Sequence, residues 1–374
     1  MLRLASLFAA LLALSVTACG DSDDAASPGS GGSGGASGNA GAAGSSGSAG
    51  NAGAGGAAGA PWKDVYTTEL QLPTASTPPI SVDASVKFHK DIAYGTDPET
   101  RFDIFLPASA TPAPLLIHIH GGGFTGGDKG EYSGDEANIN KILDQGVAYA
   151  SLNYRLLQDV DTVGVIKPMS DSTRALQFIR YHAAEFNIDP TKVVLEGGSA
   201  GAGTSLWIAF NDEMADPKGD AVAQQSTRVL GVAANATQST YDVVKWNTVV
   251  FAEYKTDFIA LAVKAGLGQR LNSFYGISSI DELESPPIVA YRAKVDMLDL
   301  MSADDPPMYV HNELSPALIP LSTDGLFHHA YHARVLTERA DAVGLPYIAY
   351  IDALSVADPS GKDHWDFALD QLKK

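Results

Sequence analysis

The stretch Leu195-Glu-Gly-Gly-Ser-Ala-Gly-Ala-Gly203 sets one hydroxyl, that of Ser199, among Gly197, Gly198, Gly201 and Gly203. Glycine is favoured where the chain must adopt dihedrals a β-carbon forbids, or where another group approaches the backbone closely. Lys192-Val-Val-Leu195 reads as a short buried strand, and Thr204-Ser-Leu-Trp-Ile-Ala-Phe210 has helical apolar spacing. Strand, tight turn and helix are the context in which Gly197-x-Ser199-x-Gly201 becomes a nucleophile elbow rather than a glycine-rich loop without chemistry.

Acyl transfer by serine requires a base, a group that orients the base, and donors aimed at the developing oxyanion. His120-Gly-Gly-Gly-Phe124 directly follows the strand pattern Leu115-Leu-Ile-His-Ile119. A run of glycines there can bring backbone N–H groups against a ligand, so Gly122 and Gly123 are expected to join the N–H of Ala200 in an oxyanion hole. Neither glycine stretch ends in the Gly-Lys-Ser/Thr of a phosphate loop, and neither is a dinucleotide fingerprint.

His120-Gly-Gly-Gly-Phe-Thr-Gly-Gly-Asp-Lys129, Leu152-Asn-Tyr-Arg155 and Gly197-Gly-Ser-Ala-Gly201, in this order, resemble the α/β-hydrolase esterases and lipases of the hormone-sensitive-lipase type and their carbohydrate-esterase relatives. The resemblance runs from about Phe88 to the C-terminus. It implies an α/β-hydrolase fold, hydrolysis of carboxylic esters, an acylated Ser199, an oxyanion hole at Gly122, Gly123 and Ala200, and no metal or other cofactor.

Chain order in this fold is serine, acid, histidine. His364, in Lys362-Asp-His-Trp-Asp366 after the last strand pattern, is therefore the expected base. The acid departs from the family's pattern. Asp305-Pro-Pro-Met-Tyr-Val-His-Asn312 resembles the penultimate strand, which in the family continues through His-Gly-x-x-Asp. Here Asn312 replaces the glycine and Ser315 stands where the aspartate belongs. Glu313 is the expected acid and Asp324 its rival if the turn is longer than usual. His328, His329 and His332 include a pair four residues apart that could face one way on a helix, but a metal site is not expected there. His118 reads as structural, and Tyr154 and Arg155 as ties between strand end and glycine loop, with Asp128 a partner for Arg155.

The elements that must hold these residues are legible as patterns. Strands are expected at Val86–Phe88, Phe102–Leu106, Leu115–His120, Ala148–Asn153, Val193–Glu196, Val229–Ala233, Met308–His311 and Tyr347–Asp352. Helices are expected at Glu136–Gln145, Pro168–Phe186, Ala200–Asn211, His329–Val343 and His364–Leu372. Alternating strands and helices imply an α/β fold with a mainly parallel sheet and helices on both faces. Between Ser239 and Asp305 aromatic and apolar residues recur at loosely helical spacing without a strand, as in a helical cap over the site or in additional core packing.

Met1-Leu-Arg-Leu4, the apolar run Leu7 to Val16 and the small residues Val16-Thr-Ala18 read as a secretory signal over 1–18. Val16-Thr-Ala-Cys19 resembles a lipoprotein processing site, making Cys19, the sole cysteine, a lipidated N-terminus and the protein a cell-envelope lipoprotein anchored to the membrane. Residues 19–60, rich in Gly, Ser and Ala, form a linker whose reach is on the order of 35 Å, and 61–374 the hydrolase domain. The net charge of -19 argues against nucleic-acid partners. The expected partner is a small-molecule, carbohydrate or lipid ester. The altered acid turn leaves open a non-catalytic binding protein of the same fold, and an amidase or peptidase would use the same triad.

Overall fold

In a computed structural model of the protein, residues 63–313 and 322–374 are described. The N-terminal signal, Cys19 and the linker lie outside them, as does Ser315. Nine strands form one sheet: β1 (Lys87–Ala93), β2 (Arg101–Leu106), β3 (Ala113–Ile119), β4 (Ala148–Leu152), β5 (Ile188–Gly198), β6 (Val232–Asn235), β7 (Met308–His311), β8 (Tyr347–Ile351) and β9 (Val356–Ala357). Their spatial order is β1-β2-β4-β3-β5-β6-β7-β8-β9. From β4 through β3, β5, β6 and β7 to β8 every pairing is parallel, and β1, β2 and β9 add antiparallel edges.

Central strands covered on both faces must be apolar on both. Leu115, Ile117, Ile119 and Leu195 turn to one face, where they pack with α2 (Ile166–Tyr181), α3 (Ala200–Phe210) and α8 (Ala330–Val343). Leu116, Tyr149 and Val194 turn to the other, against α1 (Glu136–Asp144) and α9 (His364–Leu372). Between β6 and β7 the chain forms a π-helical turn (Trp246–Val250), then α4 (Phe258–Lys264), α5 (Gly268–Tyr275) and α6 (Pro286–Lys294). Among the described residues no helix is long and apolar enough to cross a membrane.

Some boundaries differ from the sequence reading, for local reasons. The expected helix Pro168–Phe186 begins at Ile166, with Pro168 in a first turn that needs no donor, and breaks at His182. β9 was not expected: two exposed residues carry no apolar alternation. Nor was α7 (Thr323–Phe327), a helix too short to show a period, capped by the Ser322 hydroxyl accepting from the Gly325 N–H at 2.9 Å.

The partner of Arg155 also differs. Its guanidinium donates to Asp171 on α2, from Nε to Oδ2 at 2.9 Å and from Nη2 to Oδ1 at 2.7 Å, and Asp171 accepts a third bond from the Tyr66 hydroxyl at 2.6 Å. Asp128 instead caps the turn after the glycine loop and accepts from Asn153 Nδ2 at 2.9 Å. A planar fork matched to a buried carboxylate outcompetes a loop carboxylate already occupied by backbone and amide donors.

The turn from β5 to α3 presses against the end of β3. A β-carbon at Gly201 would stand 1.9 Å from the Ile119 carbonyl oxygen, whereas one at Gly198 would meet nothing within 4 Å. Gly201→Ala is therefore expected to lower the unfolding free energy by about 2 kcal/mol or more, the scale of overpacking a close-packed interior. Gly198→Ala should stay near wild type. Denaturant unfolding followed by circular dichroism checks the pair, and equal stability of the two variants would contradict the packing described.

Candidate active site

Ser199 sits on that turn with φ 51° and ψ -116°, a backbone conformation unusual for a residue with a β-carbon. It persists because both ends are tied: the Ser199 N–H donates to the Asn235 carbonyl at 2.9 Å, and the Ser199 carbonyl accepts from the Gly203 N–H at 3.0 Å in the first turn of α3. The hydroxyl projects from the turn and donates to His328 Nε2 at 2.8 Å. His328 Nδ1–H donates to Asp324 Oδ1 at 2.6 Å. Serine, imidazole and carboxylate thus form one hydrogen-bonded chain, in which the carboxylate sets the tautomer that leaves Nε2 free to accept.

Both members of the pair come from the crossover between β7 and α8. Asp324 lies in the first turn of α7 and His328 four residues later at its C-cap, so helical geometry alone brings them together. The crossover is pinned from beneath. Asn312, fully buried, donates from Nδ2 to the carbonyls of Thr237 at 3.0 Å and His329 at 3.1 Å, while its Oδ1 accepts from the Thr237 N–H at 2.9 Å. Gln238 adds a bond to the Phe327 carbonyl at 3.0 Å.

The other two histidines of the trio are engaged elsewhere. His332 accepts at Nδ1 from the Ser239 N–H at 3.2 Å and donates from Nε2 to the Leu326 carbonyl at 3.1 Å, and burial pushes it down to about 3. His329 caps α8 by accepting from the Tyr331 N–H at 3.1 Å, and burial, with Arg334 nearby, lowers it to about 4. The spacing of four that matters is therefore Asp324 to His328, not His328 to His332.

The structure does not bring His364 or Glu313 to Ser199. His364 opens α9 on the other face of the sheet, between Tyr309 and Trp365, with Nε2 3.9 Å from Glu196 Oε1. There Glu196 accepts from His118 Nδ1 at 2.5 Å. Burial opposes charge on both, yet the facing imidazole holds the Glu196 carboxyl below its usual range and the carboxylate lifts His118 above its own. Glu313 is exposed and bonds to no histidine among the described residues. The chain order serine, acid, histidine survives, but acid and histidine share one crossover, leaving the loop after β8 without the base expected of it. The clue in the sequence was a carboxylate four positions before a histidine, hidden by reading the histidines only against one another.

Facing Ser199 is the turn 121–124, where Gly122 (φ 90°), Gly123 (φ 59°) and Phe124 (φ 64°) are all left-handed. The Tyr154 hydroxyl donates to the carbonyls of His120 and Gly121 at 2.9 Å each, and its ring stacks on His120 at 4.2 Å. His120 Nδ1–H donates to the Gly121 carbonyl at 2.9 Å. With the carbonyls held from behind, the N–H groups of Gly122, Gly123 and Ala200 find no acceptor among the described residues. An apolar cavity is lined by Ser199, Ala200 and Gly123 together with Trp246, Phe258 and Phe274.

A mainly parallel sheet with a serine at the sharp turn after its fifth strand defines an α/β-hydrolase fold. The chain belongs to the BD-FAE family, whose pattern spans residues 102–323, more than half of the chain, and which is a hormone-sensitive-lipase-like branch of that fold. Curated relatives include gut esterase 1 of Caenorhabditis elegans, 26% identical over 46% of this chain and 31% of that protein. A probable isoprenylcysteine alpha-carbonyl methylesterase of Arabidopsis thaliana is 27% identical over 37% of this chain and 29% of that one. The chain thus spans about three-tenths of the length of these relatives. Among solved structures, a truncated carbohydrate esterase from gut microbiota superposes with a TM-score of 0.54 at 17% identity, over 81% of this chain and all of that one. A bifunctional GH43-CE protein of Bacteroides eggerthii gives 0.54 at 16%, over 76% of this chain and 38% of that one. At these identities the likeness is one of fold.

A fluorophosphonate is expected to label the wild type but not Ser199→Ala. His328→Gln should slow labelling by about 10²-fold or more, the scale of a lost general base, while His364→Gln stays within about threefold of wild type. Mass spectrometry of the labelled peptide and the labelling rates check this; slow labelling of His364→Gln with normal labelling of His328→Gln would contradict the hydrogen-bonded chain.

Proposed function

We propose that the protein is a serine hydrolase of carboxylic esters working through an acyl-enzyme. The observation that carries this is the chain Asp324–His328–Ser199, ending on a strained turn beside three unengaged N–H groups. Ser199 Oγ attacks the ester carbonyl while its proton passes to His328 Nε2. Asp324 holds the imidazole and stabilises its cation. The negative oxygen of the tetrahedral intermediate is held by the N–H groups of Gly122, Gly123 and Ala200, each contributing roughly 2.7–4 kcal/mol at the transition state. The alcohol leaves with the proton from His328, and water, deprotonated by the same imidazole, releases the acid and restores Ser199. The esterase names among the relatives support this reading.

The apolar cavity favours esters with a hydrophobic arm over small polar ones, and the helices between β6 and β7 act as the cap that shapes it. The N-terminal pattern supports export, lipidation at Cys19 and a domain tethered to the cell envelope by the linker, so that the ester is met outside the cytoplasm.

Hydrolysis of 4-nitrophenyl butyrate tests the chemistry. Ser199→Ala and His328→Ala are expected to lose on the order of 10³-fold or more in kcat/KM, Asp324→Ala less because its carboxylate is solvent-facing, and Glu313→Ala nothing measurable. A folded wild type inert towards all ester chain lengths from acetate to palmitate would sink the reading. Expressed with its own leader in a bacterial host, the full chain should enter the membrane fraction and incorporate labelled palmitate, and Cys19→Ser should do neither. Equal partitioning of the two would remove the anchor.

A further inference from the structure

Resting on that hydrolase reading, one residue narrows the substrate. Arg270, on α5, is the sole charged side chain lining the cavity among the described residues, and it stands at the mouth beside Gly123. The residue is exposed. Nη2 lies 3.5 Å from the Gly123 carbonyl oxygen, and Cζ lies over the Phe327 ring, 5.8 Å from its centroid. The packing is close enough that a β-carbon at Gly123 would stand 2.3 Å from Nη2, so turn and guanidinium share one space.

Among the described residues the guanidinium has no anionic partner. Only one of the five N–H donors of Arg270 reaches an acceptor among them, at the long end of hydrogen-bond range, and no carboxylate among them lies within 4.0 Å of it. Arg155, Arg174 and Arg292 pair with Asp171, Asp220 and Asp242, and Arg101, Arg180 and Arg339, which have no carboxylate partner among the described residues, each donate to two or more backbone carbonyls. Burial against apolar neighbours lowers Arg270 below the ordinary guanidinium value, with no compensating charge. In a protein of net charge -19, whose overall field repels anions, a guanidinium with no carboxylate partner among the described residues lines the same cavity as the reactive serine.

We propose that Arg270 selects esters whose cavity-bound arm carries a carboxylate, which the free donors of its fork bind at the cavity mouth while the apolar part of the arm packs beneath. A carboxylate supplies the paired acceptors that fit a guanidinium's geometry. Gly123 leaves the space for the fork, and the Phe327 ring face lies within cation–π range of it.

The test compares matched esters on wild type, Arg270→Gln and Arg270→Lys. One pair is the mono-4-nitrophenyl ester of adipic acid beside 4-nitrophenyl hexanoate, which differ by a terminal carboxylate on the acyl arm. The other is 4-acetoxybenzoate beside its methyl ester, which differ on the alcohol arm. In one pair, Arg270→Gln is expected to cut kcat/KM for the anion about tenfold or more, as befits a lost charge-assisted bond, and to leave the neutral partner within about twofold. Arg270→Lys should recover part of the loss, having the charge without the fork. The pair that responds tells which arm reaches Arg270. Equal losses for anionic and neutral esters in both pairs, or no loss in either, would overturn the proposal. A wild type that cleaves none of the four esters would instead count against the hydrolase reading.

Discussion

The contact on which this molecule turns is between two stretches of backbone: the elbow after β5 and the end of β3. Gly201 lies so close to the Ile119 and His120 carbonyls that no side chain fits, and this closeness lets α3 begin directly behind Ser199. Ser199 is forced into a left-handed φ and its hydroxyl outward, while the chain leaving β3 must turn at once through Gly122 and Gly123. Nucleophile and facing amides are thus two consequences of one packing contact.

The histidine is held by different means. Its element, α7, is only five residues long and could not persist alone. Buried Asn312 substitutes for missing length: its amide ties the β7 end to Thr237 and to the carbonyl of His329, so the loop carrying His328 is anchored on both sides. An apolar residue there would leave those backbone groups unpaired in the interior, which costs more than a neutral hydrogen bond contributes. Asp324, exposed and in the same helix turn, then needs only local geometry to orient the imidazole.

The second imidazole–carboxylate pair, His118 with Glu196, shows why proximity of such groups does not by itself make a nucleophile's base. Side chains alternate across a strand, so Glu196 points to the opposite face from Leu195, away from the α3 side. There it gathers His118 and, at longer range, His364 under α9. The cluster satisfies buried charge on the α9 face, whereas Arg270, in the cavity lining, has no carboxylate partner among the described residues.

Local sequence determined a good deal. Eight of the strands, the five longer helices expected, the glycine turn and Ser199 all follow from patterns a few residues long, because strand burial, helix period and left-handed dihedrals are short-range constraints. Which histidine meets Ser199 was decided only in three dimensions. His364 and His328 both follow the serine in the chain, and the difference between them is the face of the sheet on which each crossover packs. Asp324 and His328 carried a legible spacing of four, but nothing in one dimension tells a helix of five residues from a loop. The pairing of Arg155 with Asp171, and the placing of Arg270 beside Gly123, depend likewise on contacts between segments far apart in the chain, which no local pattern encodes.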